Sequence, residues 1–170
     1  MVIIMAQRLR SELRVIDYIE DSHRTLDWYV AELRERHYNW GTDFLPHDAA
    51  HGDFKTGRST KDLLKRLGRK SIKLTPNVGI EHGIKAARMS FGQCYFDRDK
   101  TARLVECLKR YRRGVPVTTG EPGKPVHDEF SHGADGFRYL ALVADQMGND
   151  DERVIPRVAT RQPYDRAMGY

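Results

Sequence analysis

Hydrophobic and polar positions change period several times along the chain, and each change marks an element. Residues 2–7 (Val-Ile-Ile-Met-Ala-Gln) form an apolar, β-branched run that predicts a strand. A polar turn from Arg8 to Glu12 follows. Leu13 to Glu20 then alternates, with Val15, Asp17 and Ile19 on one face and Ile16 and Tyr18 on the other. Two strands joined by so short a turn predict an antiparallel hairpin. Leu26, Tyr29, Val30, Leu33 and His37 then recur at helical spacing, so a helix is expected from about Thr25.

Shorter periods follow. Residues 41–50 read as a short strand that Pro46 ends, because proline cannot donate to a ladder. The loop from His51 to Gly57 is polar. Ser59 with Asp62 three residues on forms a capping-box pattern ahead of Leu63, Leu64 and Leu67, and Gly68 suits the position just past that helix. Ser71 to Thr75 is another short strand, closed by Pro76. Ile80, Ile84, Ala87 and Phe91 mark a third helix, and Cys94 to Phe96 a further strand. A fourth helix, capped by Asp99 or Thr101, carries Leu104, Val105, Leu108 and Tyr111 and stops at Gly114. Residues 115–125 are rich in Gly and Pro and predict a loop or hairpin. Ser131 is a fitting N-cap for a last helix with Ala134, Phe137, Leu140, Ala141, Ala144 and Met147 on its apolar stripe. Strands alternating with helices predict a mixed-sheet α/β layer with helices on both faces, formed by residues 1–147. Residues 148–170 lose the apolar period and read as a loosely held tail.

Composition narrows the class. At 170 residues the chain is one domain's worth. No apolar run approaches a membrane span, and the first six residues are too short for a signal segment. Only Cys94 and Cys107 are present, so neither a disulfide framework nor a cysteine-rich zinc site is available. A net charge of +5 is compatible with a polyanionic partner.

The candidate chemistry gathers at two places. Asp48 falls at the end of a strand expected to be central, where open α/β sheets tend to bind ligands. Asp135 falls in the first turn of the last helix, where the macrodipole favours a carboxylate. If sheet and helix pack as usual, the two would approach and share divalent metals; alternatively Asp48 caps the turn after Pro46 and Asp135 is an ordinary acidic first turn. Oxygen ligands suit Mg²⁺ or Mn²⁺. His47 and His51 flank Asp48, but their segment reads as strand end and loop, so the two-histidine helical turn of a zinc hydrolase is missing. Lys61, Lys65, Arg66, Arg69 and Lys70 around the second helix form either a DNA-backbone track or a solvated face.

Taken together, Leu45-Pro-His-Asp-Ala and His127-Asp-x-x-Ser-His-x-Ala-Asp-x-Phe-Arg-Tyr-Leu resemble the C-terminal nuclease domain of phage terminase large subunits. Residues 13–20, 55–64 and 79–88 also look like that family, and the likeness covers Val2 to Met147. It implies a ribonuclease H-like fold and a metal-dependent endonuclease that cuts concatemeric double-stranded viral DNA during packaging. In that family one Asp on the first strand, one at the end of the fourth and one in the final helix hold two metals. Asp48 matches the second and Asp135 the third, with His132 and His47 as neighbours. The first-strand Asp has no counterpart here, which implies an incomplete first strand and weak cleavage by this chain alone. The ATPase domain of the family has no counterpart either. The resemblance also implies portal and small-subunit partners, and a place in the packaging motor in the cytoplasm of an infected or lysogenic host, outside the mature virion. An alternative from a different class is a catalytically incomplete DNA- or portal-binding remnant.

Overall fold

The computed structural model describes residues 1–54, 57–118 and 120–148. The tail expected from residue 148 therefore lies almost wholly outside the described residues. Strands β1 (Val2–Leu9) and β2 (Glu12–Glu20) form the expected antiparallel hairpin, turned at Arg10 with a positive φ of 55°. Helix α1 (Leu26–Glu35) follows, then β3 (Asp43–Leu45), a single 3₁₀ turn (His47–Ala50) and α2 (Thr60–Arg66). Strand β4 (Ile72–Leu74), α3 (Gly79–Ser90), β5 (Cys94–Phe96), α4 (Ala102–Arg110) and α5 (Ser131–Val143) complete the order.

Local chemistry sets several boundaries. Ser59 Oγ accepts a hydrogen bond from the Asp62 amide at 3.1 Å, so the capping pattern read from the sequence is made. Gly68, with φ of 92°, takes the left-handed position past the end of α2. Thr101 precedes α4, but its hydroxyl donates to the Asp97 carbonyl and does not cap the helix. Ser131 is likewise not a cap. It is the first residue of α5, and its hydroxyl donates back to the Asp128 carbonyl at 2.7 Å.

The alternation expected of β2 breaks at a bulge. Met5 lies opposite Asp17 and Ala6 opposite Val15, so Ile16 is the extra residue. That residue resets the pleat. Val15 and Tyr18 pack with Leu104 of α4 and Phe137 of α5, whereas Ile16 joins Met5, Ile19, Tyr29 and Leu33 on the α1 side. The second cluster includes Val2, Ile4, Ala87 and Phe96, so helices cover both faces of the sheet as expected. Asp17 is buried with the α1 side and is held by Arg36 and Tyr38, each at 3.1 Å.

Among the described residues the strands make two sheets, where the sequence predicts one. β1, β2 and β5 lie in that order, with β2 and β5 parallel, while β3 pairs in parallel only with β4. β3 is therefore an edge and not a central strand. With three residues and one partner, it has no second ladder among the described residues. Trp40, just before β3, packs against the Met5–Tyr29 cluster, and Ala87 of α3, after β4, packs into the cluster on the other face.

Candidate active site

The start of α5 is fixed by a compact polar knot. The Ser131 hydroxyl also lies 3.1 Å from His127 Nδ1, and Asp128 accepts a bond from the Phe130 amide at 3.0 Å. Arg112 closes on Asp128 at 3.0 Å. The rings of His127 and His132 meet edge to face with centroids 5.2 Å apart. One turn further on, Asp135 is gripped by Arg138, whose Nη2 and Nε lie 3.1 and 3.3 Å from Oδ1. Arg138 is buried, and its guanidinium also lies over the ring of Tyr139. Its aliphatic stem crosses α3 at Gly83, where there is no room for a side chain.

Asp135 opens into a cavity of about 400 Å³ shared with Glu81, Tyr111, Lys124, His127 and Ser131. Burial and the charge of Asp135 raise the pKa of the Tyr111 phenol. Arg113, 2.5 Å away, holds the Glu81 carboxyl below its usual range. His132 faces elsewhere. It lines a second cavity of about 730 Å³ with Met1, Tyr18, Glu20, Asp21 and Arg103.

Asp48 sits in the 3₁₀ turn after Pro46. It is exposed, and its carboxylate makes no hydrogen bond or ion pair with the described residues; it does not cap the turn. The turn closes through main-chain bonds, Ala49 N–H to the Pro46 carbonyl at 3.0 Å and His51 N–H to the Asp48 carbonyl at 2.9 Å. His47 carries a buried Nδ1 with no hydrogen-bond partner among the described residues. Asp48 and Asp135 thus stand on different elements, one open to solvent and one bound to arginine; Asp135 is the fifth residue of α5, a turn past the first-turn position expected, because the helix begins at Ser131 itself. Among the described residues, no group of three or more His, Cys, Asp and Glu is placed to hold a metal ion. The described donors alone do not make a two-metal centre.

The basic stretch divides by role. Arg69 grips Asp43 with both nitrogens, at 2.5 and 2.7 Å, and stacks over Trp40, so it ties the start of β3 to the turn before β4. Lys65, Arg66 and Lys70 are exposed and Lys61 half-exposed. Glu81, Tyr111 and Arg138 around Asp135 were not singled out by the sequence reading. A glycine at position 83, inside a helix, was the available signal of a close crossing.

Helices on both faces of a mixed sheet are the layering of a ribonuclease H-like fold. The same fold is found in the nuclease domain of g2p, the large terminase of bacteriophage SPP1, whose crystal structure contains bound Mn. The two superpose with a TM-score of 0.60, over 86% of this chain and 78% of that one, at 16% sequence identity. At that identity the likeness is one of fold. No protein-family model and none of the curated proteins matches the sequence.

Proposed function

We propose that this chain is a terminase-type nuclease domain that binds double-stranded DNA, with Asp48 and Asp135 as two of the carboxylates of a Mg²⁺ or Mn²⁺ site. The observation that carries the reading is the fold shared with a phage terminase nuclease domain over most of the chain. The position of Asp135, in the first turns of the last helix beside His127 and a cavity, agrees with it. Divalent cations at such a site activate water and neutralise charge on the phosphate. His132 and His47 flank the carboxylates and are the histidines nearest in sequence to Asp135 and Asp48 of the proposed site. Lys61, Lys65, Arg66 and Lys70 contact the DNA backbone, with Arg69 holding the strand ends beneath them. In the cell the domain works within a DNA-packaging motor in the host cytoplasm, alongside portal and small-subunit partners. No helix among the described residues is long and apolar enough to cross a membrane.

A second reading rests on the ion pair that already engages Asp135, with Arg138 Nη2 3.1 Å from Oδ1. In it the chain binds DNA or the portal without cutting. Mn²⁺ titration and nicking of supercoiled plasmid separate the two, using this chain, the chain extended upstream by a further strand, and Asp48→Ala and Asp135→Ala in each. Metal binding that disappears in both variants, with nicking by the extended chain, supports the nuclease. DNA binding that ignores both substitutions, without metal uptake or nicking in any form, leaves the binding module.

A further inference from the structure

Ser131 decides where the hydrogen sits on His127. A serine hydroxyl has one hydrogen to give, and that of Ser131 goes to the Asp128 carbonyl at 2.7 Å. The 3.1 Å contact between Ser131 Oγ and His127 Nδ1 is then a hydrogen bond only with Nδ1 as its donor. Ser131 is 2% exposed and is the first residue of α5, so the helix fixes the acceptor in place. A neutral imidazole with its hydrogen on Nδ1 carries a bare lone pair on Nε2, on the far side of the ring from Ser131. His127 is exposed and lines the cavity into which Asp135 opens, whereas His132 lines the other cavity. A ring whose tautomer is set by one partner while its second nitrogen meets water is equipped to accept a proton.

We propose that His127 is the proton-transfer group of the Asp135 site, taking a proton from the attacking water through Nε2 while Ser131 holds its Nδ1–H. The inference rests on the nuclease reading. In the step, one O–H bond of water breaks and its proton passes to Nε2. The water oxygen bonds to phosphorus, the bond from phosphorus to the leaving strand end breaks, and the leaving oxygen takes a proton from solvent. The imidazolium so formed still donates from Nδ1 to Ser131, so the ring changes charge without turning. The charged and titratable groups around it are His132 and Asp135 on α5, Glu81 on α3, and Tyr111, Lys124 and Asp128 between α4 and α5. Arg113 pairs with Glu81, Arg138 with Asp135 and Arg112 with Asp128, so each neighbouring carboxylate already faces a cation.

Imidazole ¹⁵N spectra of the native chain, assigned through the ring lost in His127→Gln, read the tautomer without any need for cleavage. The hydrogen of neutral His127 is expected on Nδ1, and Ser131→Ala is expected to release it to Nε2. Nicking is then followed over a pH series at saturating Mn²⁺, in the form of the chain that cuts supercoiled plasmid. Acid should slow the parent by protonating Nε2. His127→Gln should lower the rate about 100-fold and abolish that acid limb, with Mn²⁺ affinity unchanged. A hydrogen on Nε2 in the parent overturns the proposal. So does a His127→Gln chain that keeps the parent's rate and pH profile, or one that binds Mn²⁺ more weakly, which would make the ring a ligand. If the tautomer is as expected and no form cuts, the nuclease reading has failed and takes the proton transfer with it, while the Ser131–His127 geometry stands.

Discussion

The crossing of α3 and α5 makes a prediction whose sign runs against helix propensity. Glycine inside a helix normally costs about 1 kcal/mol relative to alanine, so Gly83→Ala in the middle of α3 ought to stabilise. Here a Cβ at position 83 would stand 2.4 Å from Cγ and 2.6 Å from Cδ of Arg138. Those atoms are the middle of the side chain and not its mobile tip. Arg138 is buried, and its head is fixed on Asp135 and the Tyr139 ring. Making room requires the whole side chain to move, and overpacking of this kind costs about 1–3 kcal/mol. Asp135 is 37% exposed, so the disturbed ion pair adds less than about 1 kcal/mol. The propensity gain of about 1 kcal/mol offsets part of this, leaving a net loss of up to about 3 kcal/mol, at roughly 2–4 °C in melting temperature per kcal/mol. Thermal and urea unfolding of Gly83→Ala, Arg138→Ala and the double variant give a closed cycle. With Arg138 truncated the clash is gone, and Gly83→Ala should then stabilise. Were Gly83→Ala to raise stability in the parent chain, or to act equally in both backgrounds, the close-crossing argument would be wrong.

Three further outcomes follow from the same geometry. Ser59→Ala removes the acceptor for the Asp62 amide and should cost about 1 kcal/mol in urea unfolding, with Ser59→Asp restoring most of it. Burial raises the phenols of Tyr18 and Tyr111 above the ordinary value. The folded state therefore keeps protons that the unfolded chain releases near pH 10, so this stabilisation is whole below about pH 10 and is lost as pH rises through the folded values. Phenolate absorbance should show part of the eight tyrosines ionising later in the folded protein than in denaturant, and coincident curves would refute it. Lys65→Ala and Arg66→Ala should each lower the salt slope of duplex DNA binding by about 1, whatever the DNA sequence, whereas a slope unchanged by both would remove α2 from the interface.

Much of the layer order was legible because period and punctuation agree. Pro46 and Pro76 close β3 and β4, Ser59 and Gly68 bracket α2, and the apolar stripes of α4 and α5 meet at Leu104 and Phe137 in the structure. The bulge was not legible. One extra residue, Ile16, costs the sequence pattern nothing visible, yet it moves Ile19 to the opposite face from Val15. Ser131 is the first helical residue and not the cap, because its hydroxyl bonds back to the Asp128 carbonyl and faces His127 and so is not offered to a first-turn amide.

The site was legible as residues and not as geometry. His132 and Asp135 are three apart, a spacing that on a regular helix puts side chains on one face. At the start of α5 this spacing does not bring them to one cavity. Asp135 is drawn by Arg138 toward α3, while His132 turns to the cavity beside Tyr18 and Met1. The pull on Asp135 originates at Gly83, more than fifty residues away in sequence, whose missing side chain lets the Arg138 stem lie flat on α3. Removing that arginine tests whether Asp135 is held in readiness or held in check. Arg138→Ala frees the carboxylate, and if Asp135 is a metal ligand then Mn²⁺ should bind more tightly to this variant than to the parent, with the gain abolished by adding Asp135→Ala. Equal affinity in parent, Arg138→Ala and the double variant would leave the Asp135–Arg138 pair a structural clamp between α3 and α5.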